Sequence, residues 1–435
     1  MSQKFSGACS LAFALCRAAS TPISLALVAP LAISIDYAQA AETAPLQLQD
    51  AFDRAAAFDP GLRAAGAGVE AAEGGLRQAR ARPNPTLGVE TENFGGKNDL
   101  RNFNGAETTF SVSQEVEFGG KRRARIRLAE RALSGAELDR VLRGLDLFRD
   151  VQLAYFEALA AEENASIDRE RVATAEEVAK ADSRRVNAAR DPVMASARAE
   201  AGVAAARIEA TRSAANAANA RAKLAAFWGV DQTFDLSTTE NGLPRAVDHE
   251  HPLVDDSNPD LARLSASRDM ASAAVVLEKS LAYQNPTISM GYRRFEERSG
   301  DGAFVAGVTV PIGVFDRNQG AIAKARAEER RAGFDLEAAR LNLMREFAGL
   351  QRALASDAVA VSSLEKDVIP QAAKALSLAR DGYGRGAFSY LDVLDAQRAL
   401  SDARLQRVEA LKSYHSNEAA LDRLTARFAV ASKEK

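Results

Sequence analysis

Thiols are nearly missing from this chain. Of 435 residues only Cys9 and Cys16 are cysteine, and both fall within the first 40. That stretch carries Lys4 and Arg17, an apolar run over Ile23–Ile35, and the small-x-small pattern Ala38-Gln39-Ala40 of a signal-peptidase site. Residues 1–40 are therefore expected to be a secretory leader, removed on export. Without it the chain has no disulfide and no thiolate metal site. Phe13-Ala14-Leu15 is not a lipoprotein box for Cys16, and Cys9 precedes any apolar run, so no lipid anchor is expected.

Other absences exclude whole classes of function. Only three histidines occur, His249, His251 and His415. None sits beside the nucleophile or carboxylate pair that a hydrolase needs, so an enzyme is not expected and no cofactor is implied. Charge of one sign is not in excess. The net charge of −3 becomes −4 when Lys4, Arg17 and Asp36 leave with the leader, which argues against nucleic acid as the main partner. Beyond the leader no run of 18 apolar residues exists, which excludes a transmembrane helix but not membrane strands.

What is present is a duplication. Asp59-Pro60 opens a helical stretch that closes at Asn84-Pro85, before the alternating run Thr86–Glu92. Asn258-Pro259 opens another that closes at Asn285-Pro286, before Thr287–Arg294. Each is followed by a polar loop (Phe94–Gly105, Glu296–Gly302), a second alternating run and a very long helical segment. One large unit is used twice.

Four runs have period two. Leu87, Val89 and Thr91 form one set, and Phe110, Val112 and Val116 the second. Ile288, Met290 and Tyr292 form the third, and Phe304, Ala306, Val308 and Val310 the fourth. Runs of this length suit tilted membrane strands, and equally a small sheet packed on helices in a soluble domain. Four strands cannot close a barrel, so a membrane reading requires several chains to pool them; three would give twelve.

The helical segments settle the preference. Gly119–Ala188 has no proline and would reach roughly 100 Å. Val193–Phe227 is its partner, and the second half repeats the pair as Gln319–Tyr383, interrupted only by Pro370, and Ser389–Phe428. Val141, Phe148 and Tyr155 make one seven-residue stripe, and Leu138, Leu145 and Leu159 a neighbouring one. Val393, Leu400, Tyr414, Leu421 and Phe428 share a register in the last helix, with Arg407 the exception. Two adjacent seams pack a helix against a neighbour on each side, as in a curved wall.

The paired repeat, the Asn-Pro boundaries and the turn from Gly386 to Gln397, with Ser389-Tyr390-Leu391-Asp392-Val393-Leu394-Asp395-Ala396 at its centre, resemble the TolC family of outer-membrane efflux proteins. Arg190-Asp191-Pro192-Val193, at the equivalent turn of the first half, is similar to the heavy-metal, CzcC/CusC-like branch. The resemblance implies an α+β fold dominated by helix, in which a long-helix periplasmic barrel continues a transmembrane β-barrel shared by a homotrimer. Residues 41–230 and 258–428 would be the two repeats, with an equatorial linker at 231–257 and a tail at 429–435. It also implies a passive duct in the outer membrane, set in outer-membrane lipid. The duct would serve a periplasmic adaptor and an inner-membrane RND-type pump, with heavy-metal cations as cargo, or organic compounds as the alternative. A trimeric structural coiled-coil protein of the periplasm is the competing class, and the duplicated strand pairs speak against it.

Candidate sites are electrostatic. Asp392 and Asp395 lie three apart on one helical face. Around a threefold axis they would ring a pore constriction, and Arg385 is a possible gate partner. The plainer alternative makes Asp392 a solvated helix-start acid and Asp395 a surface residue. His249 and His251 are weak metal-ligand candidates on spacing alone. His415 reads as a packing or surface residue, Trp228 as a packing anchor, and Gly119-Gly120 as a strand-to-helix joint.

Overall fold

The computed structural model describes residues 45–189, 192–229, 234–236, 243–246, 257–297 and 301–428. The leader, most of the expected linker with His249 and His251, and the tail after 428 lie outside them. Eight α-helices and four strands are named among the described residues: α1 Leu48–Phe58, α2 Pro60–Arg80, β1 Thr86–Glu92, β2 Glu107–Glu115, α3 Lys121–Asn187 and α4 Val193–Ala225 in the first half. The second half has α5 Pro259–Leu281, β3 Thr287–Phe295, β4 Gly302–Thr309, α6 Gln319–Ser363, α7 Ile369–Arg385 and α8 Tyr390–Leu424.

The repeated punctuation is helix capping. Asp59 Oδ1 and Oδ2 accept from the amides of Gly61 and Leu62 at 3.1 and 2.9 Å, with Pro60 at the first helical position of α2. Asn258 Oδ1 does the same for Asp260 and Leu261 ahead of Pro259. The strand-to-helix joint needs left-handed backbone, which Gly119 and Gly120 supply at φ 71° and 78°. In the second half Asn318 takes that conformation at φ 61°.

The long segments match in span. α3 has 67 residues, and α6, the wide turn after it and α7 together run from Gln319 to Arg385, also 67. The break in the second half is more than Pro370. A π turn occupies Leu364–Val368, just before it. Proline has no N–H and its ring crowds the carbonyl four residues back, so a locally wider helix relieves the clash.

The helices form a wall. In its upper part α2 lies on α3, α3 on α5, and α5 on α6, the same order as their strands β1-β2-β3-β4. In the lower part α3 packs on α4 and α8, and α8 on α6 and α7. Both expected seams of α3 turn inward: Leu145, Phe148, Tyr155 and Leu159 are buried, with Leu138 and Val141 half-buried above them. The densest core sits at mid-height, where Val151, Leu159, Leu224, Val408 and Leu411 meet Ala51 and Ala55 of α1. The sequence pattern alone predicts no helix over α1. Trp228 is buried there, edge-on to Phe234 at 5.5 Å.

Candidate functional site

The sheet is an antiparallel meander with two uncovered edges, β1 and β4. Its register aligns whole rows of like residues. Val89, Phe110, Tyr292 and Phe304 stand side by side, as do Leu87, Val112, Met290 and Ala306. These rows face outward: Phe304 is 90% exposed, Leu87 78% and Met290 70%. No helix among the described residues covers this face. A soluble sheet would bury it, so the strands are built for lipid.

The opposite face is mostly polar or small. Gly88, Ser111 and Gly291 form one row, which Val305 completes on β4, and Thr86, Ser113, Ser289 and Gly307 form another. Towards the hairpin tips Arg293 donates to Glu107 Oε2 (2.8 Å), Glu92 Oε2 (3.0 Å) and Thr109 Oγ1 (2.9 Å), a charged cluster that suits a wet lumen. Nine-residue strands tilted by ~40° span roughly 23 Å, close to the apolar band of outer-membrane barrels. Aromatics flank that band. Phe94 and Phe103 stack at 5.7 Å in the first hairpin loop, and Phe118 and Phe315 are exposed at the helix joints.

At the far end of the wall the helices turn. Ser389 opens α8 with a capping box: its amide and hydroxyl donate to Asp392 Oδ2 at 2.7 and 2.8 Å, and the Asp392 amide donates to Ser389 Oγ at 3.4 Å. These hydrogen bonds from the Ser389 side chain and backbone hold the Asp392 carboxyl below the usual aspartate range. Asp395 lies 4.0 Å from Arg398, one turn on. Arg385 Nε donates to its own helix, at Asp381 O (3.3 Å). Within one chain, then, Asp392 is a helix-start acid, and Arg385 is not brought onto either aspartate. Arg190 and Asp191 of the opposite turn lie outside the described residues.

The tip also holds a link that sequence reading missed. Arg185 of α3 donates to the carbonyl of Tyr383 (3.2 Å), and its guanidinium lies 5.0 Å from that ring's centroid. The two halves of the duplication are tied there. Nothing in the spacing of Arg185 distinguishes it from its many arginine neighbours.

Mid-wall, the exception in the α8 register is explained. Arg407, its side chain 13% exposed, donates to Glu163 of α3 (2.6 Å) and to Glu365 in the π turn (2.8 Å). Higher up, Arg423 bridges Asp146 and Asp260 at 2.5 and 2.7 Å. Burial works against that guanidinium's charge, yet the hydrogen bonds it donates to Asp260 and Asp146 raise its pKa above the ordinary arginine value. His415 is a buried packing residue, as expected: it stacks on Phe156 at 4.1 Å and its ring nitrogens lie 3.0 Å from Glu418 Oε2 and Pro244 O. No group of three or more His, Cys, Asp or Glu among the described residues could hold a metal ion.

The sequence profile of the family described as "Outer membrane efflux protein" matches residues 51–230 and 253–427, one stretch for each repeat. The chain belongs to this family. It is 32% identical to the cobalt-zinc-cadmium resistance protein CzcC of Cupriavidus metallidurans over 88% of this chain and 90% of that protein. To the nickel and cobalt resistance protein CnrC of the same organism it is 29% identical, over 75% of this chain and 77% of that one. The crystal structure of CusC superposes with a TM-score of 0.74 at 19% identity, covering 88% of this chain and 92% of that one. Members of the family are channel components rather than enzymes, and this one is an outer-membrane protein with its helical part in the periplasm.

Proposed function

We propose that three copies of this efflux protein pool their strands into one closed barrel of twelve and pass divalent heavy-metal cations through it. The observation that carries the reading is the sheet itself. It has a lipid-ready face, a polar opposite face and two unpaired edges. An open edge cannot rest in hydrocarbon, so copies must pair. The duct is passive, and energy and selection come from an inner-membrane pump of the RND type reached through a periplasmic adaptor. Cargo follows from relatives named for cobalt, zinc, cadmium and nickel resistance.

Asp392 and Asp395 form the entrance constriction in this reading, as two rings of three carboxylates that attract cations. Arg385 is the partner this reading assigns to them when the entrance shuts, by a movement from its present hydrogen bond to Asp381 O. Planar-bilayer recording tests the rings: Asp395→Ala weakens block by a multivalent cation added on the periplasmic side, and unchanged block with trimer yield intact removes Asp395 from the constriction.

The whole reading is tested in a host whose own duct gene is deleted while pump and adaptor remain. Expression of this chain restores tolerance to cobalt, zinc or cadmium. Restored tolerance to organic toxicants alone would instead mark a duct for organic compounds.

A further inference from the structure

We infer that the cleft between α3 and α5, just below the strands, holds the phosphate of an anionic phospholipid of the periplasmic leaflet. Arg123, Arg127 and Lys279 are its ligands. The site is complete within one chain, so it stands apart from the cargo and from the pooling of copies.

Arg123 and Arg127 lie one turn apart on α3, and Lys279 joins them from the last turn of α5. Together they line a cleft of about 330 Å³. All three are exposed, and none is held by a carboxylate or a carbonyl among the described residues. Their neighbours differ. Arg122 donates to Arg80 O, and Arg125 to Ala79 O, Ala81 O and Glu117, which caps the end of α2. The nearby carboxylate of Glu278 accepts from Asn318 Nδ2 at 2.6 Å. A cleft lined by one sign of charge concentrates counter-ions, and guanidinium groups match phosphate oxygens in a forked geometry.

Height separates a lipid from other anions. Arg123 lies eight residues beyond Glu115, the last of β2, and Lys279 eight before Thr287, the first of β3. The strands cross the hydrocarbon, and headgroups occupy roughly the next 5–8 Å. α3 begins there and runs away from the membrane, so its side chains lean back towards the bilayer. The remaining walls of the cleft are amphipathic. Tyr283 is 60% exposed and packs directly on Gly119, where a Cβ would come within 2.7 Å of its ring. Val276 beside it is 40% exposed. A tyrosine at this level suits the boundary between acyl chains and water.

The cleft opens on the outer side of the wall. Arg131 and Gly135 point from α3 towards α5, where they lie against Asp269 and Arg263. Arg122, Arg125 and Arg143 point towards α2. At about 100° per residue these two directions are roughly 120° apart. In a wall curved round a lumen the neighbours of a helix crowd its concave side, so the wider arc faces out. Arg123 and Arg127 project into that wider arc.

The second repeat keeps the joint and drops the cations. Gly120 and Asn318 hold the same left-handed position before α3 and α6, which sets Ala321 and Ala325 where Arg123 and Arg127 stand. Counting back from the two Asn-Pro pairs sets Gln78 in the place of Lys279. Cations needed only for solubility would recur at both joints.

Native mass spectrometry of the full chain in mild detergent reads the site, with phosphatidylglycerol and phosphatidylcholine as probes. Each cation beside an anionic headgroup contributes about fivefold, so the wild type should prefer phosphatidylglycerol on the order of a hundredfold. The variant Arg123→Gln, Arg127→Gln, Lys279→Gln should lose that preference. A control with the same change of charge is Arg212→Gln, Lys324→Gln, Arg331→Gln. It removes cations already paired with Glu209, Glu328 and Asp335, and should behave as the wild type. Equal preference in both variants, or none in the wild type, overturns the site. Glycerophosphoglycerol, the same headgroup without acyl chains, should bind far more weakly. Equal affinity would make this a site for soluble anions and overturn the lipid. Should the site variant not reach the membrane, the wild-type protein still decides. Acetylation of Lys279 should be several-fold slower in phosphatidylglycerol vesicles than in phosphatidylcholine vesicles, while Lys324, near the start of α6, changes less. Equal slowing of the two lysines overturns the proposal.

Discussion

The two halves of this chain keep one length and solve it differently. α3 crosses its 67 residues as a single unbroken helix, while the second half inserts a π turn at Leu364–Val368 and restarts at Ile369. The lower partners differ as well. α4 begins after Pro192 with no side-chain cap, whereas α8 begins with the Ser389–Asp392 box. The unbroken half acts as a strut, touching α2, α4, α5 and α8. The broken half is pinned by specific polar contacts, chiefly Arg407 on Glu365. A duplicated unit can hold one architecture while only one copy acquires a joint.

The largest expected effect comes from unpinning that joint. Arg407→Met leaves Glu163 and Glu365, 16% and 28% exposed, facing one another without their cation. Removing one partner of a largely buried pair costs on the order of 3 kcal/mol. Thermal unfolding of the detergent-solubilised protein reads the loss. Adding Glu163→Gln and Glu365→Gln should recover most of it, since the stranded charges are then gone. Failure to recover would show that the π turn depends on Arg407 for packing along its stem.

A smaller contrast separates the two capped boundaries. Arg423 holds Asp260 beside the α5 cap with its side chain 15% exposed, while Arg143 holds Asp59 of the α2 cap at 36% exposed. Arg423→Ala should cost about 2 kcal/mol, and Arg143→Ala about 1 kcal/mol or less, because solvent already screens that pair. Equal losses in the same unfolding assay would mean that exposure does not rank these two contacts.

How far the sequence shows these differences depends on what writes them. Periodicity and punctuation are local, so the strands, the cap residues Asp59 and Asn258, and the long helices could be read directly; β1 was placed to the residue. The π turn could be read only as Pro370, because the wider backbone is how the fold answers the proline. From the sequence alone α1 is not legible, because its pattern is short and its partners, Phe148 and Trp228 among them, are distant in sequence. The expectation of two seams in α3 held, since seams are summed over many turns. The charged contacts were illegible for the opposite reason. Arg185, Arg293 and Arg423 are three among many arginines, and only folding selects the carbonyl or carboxylate each one meets. Arg407 was the one such residue with a signal, as the lone charge in an apolar register.

Pro370 offers a finer test of cause. In Pro370→Ala the restored amide can bond the carbonyl of Lys366, so the π turn should tighten to an ordinary helix with less than about 1 kcal/mol change in stability. A structure of the variant checks this. A wide turn that survives would assign it to the Glu365–Arg407 contact instead.

The smallest effect concerns the two lower helix starts and depends on pH. The Asp392 carboxyl is held below its usual range by hydrogen bonds from Ser389, so the charged form is favoured in the folded protein. A depressed carboxyl stabilises the fold above the ordinary aspartate range, and that contribution drains away as pH falls through its own lower value. Acidification should therefore loosen the first turn of α8, while α4, which starts at Pro192 with no carboxylate on its first amides among the described residues, should not respond. Amide hydrogen exchange, corrected for its intrinsic pH dependence, reads both starts in one sample: protection at Asp392 and Val393 should fall between neutral pH and about pH 3, and protection at Ala195 and Ser196 should hold. Asp392→Asn keeps an acceptor without the charge, so it should show the loosened turn already at neutral pH and no further change on acidification. Parallel loss at both starts in the wild type would mean that the tip opens as a whole under acid, and that the capping box of the second half confers no separate sensitivity.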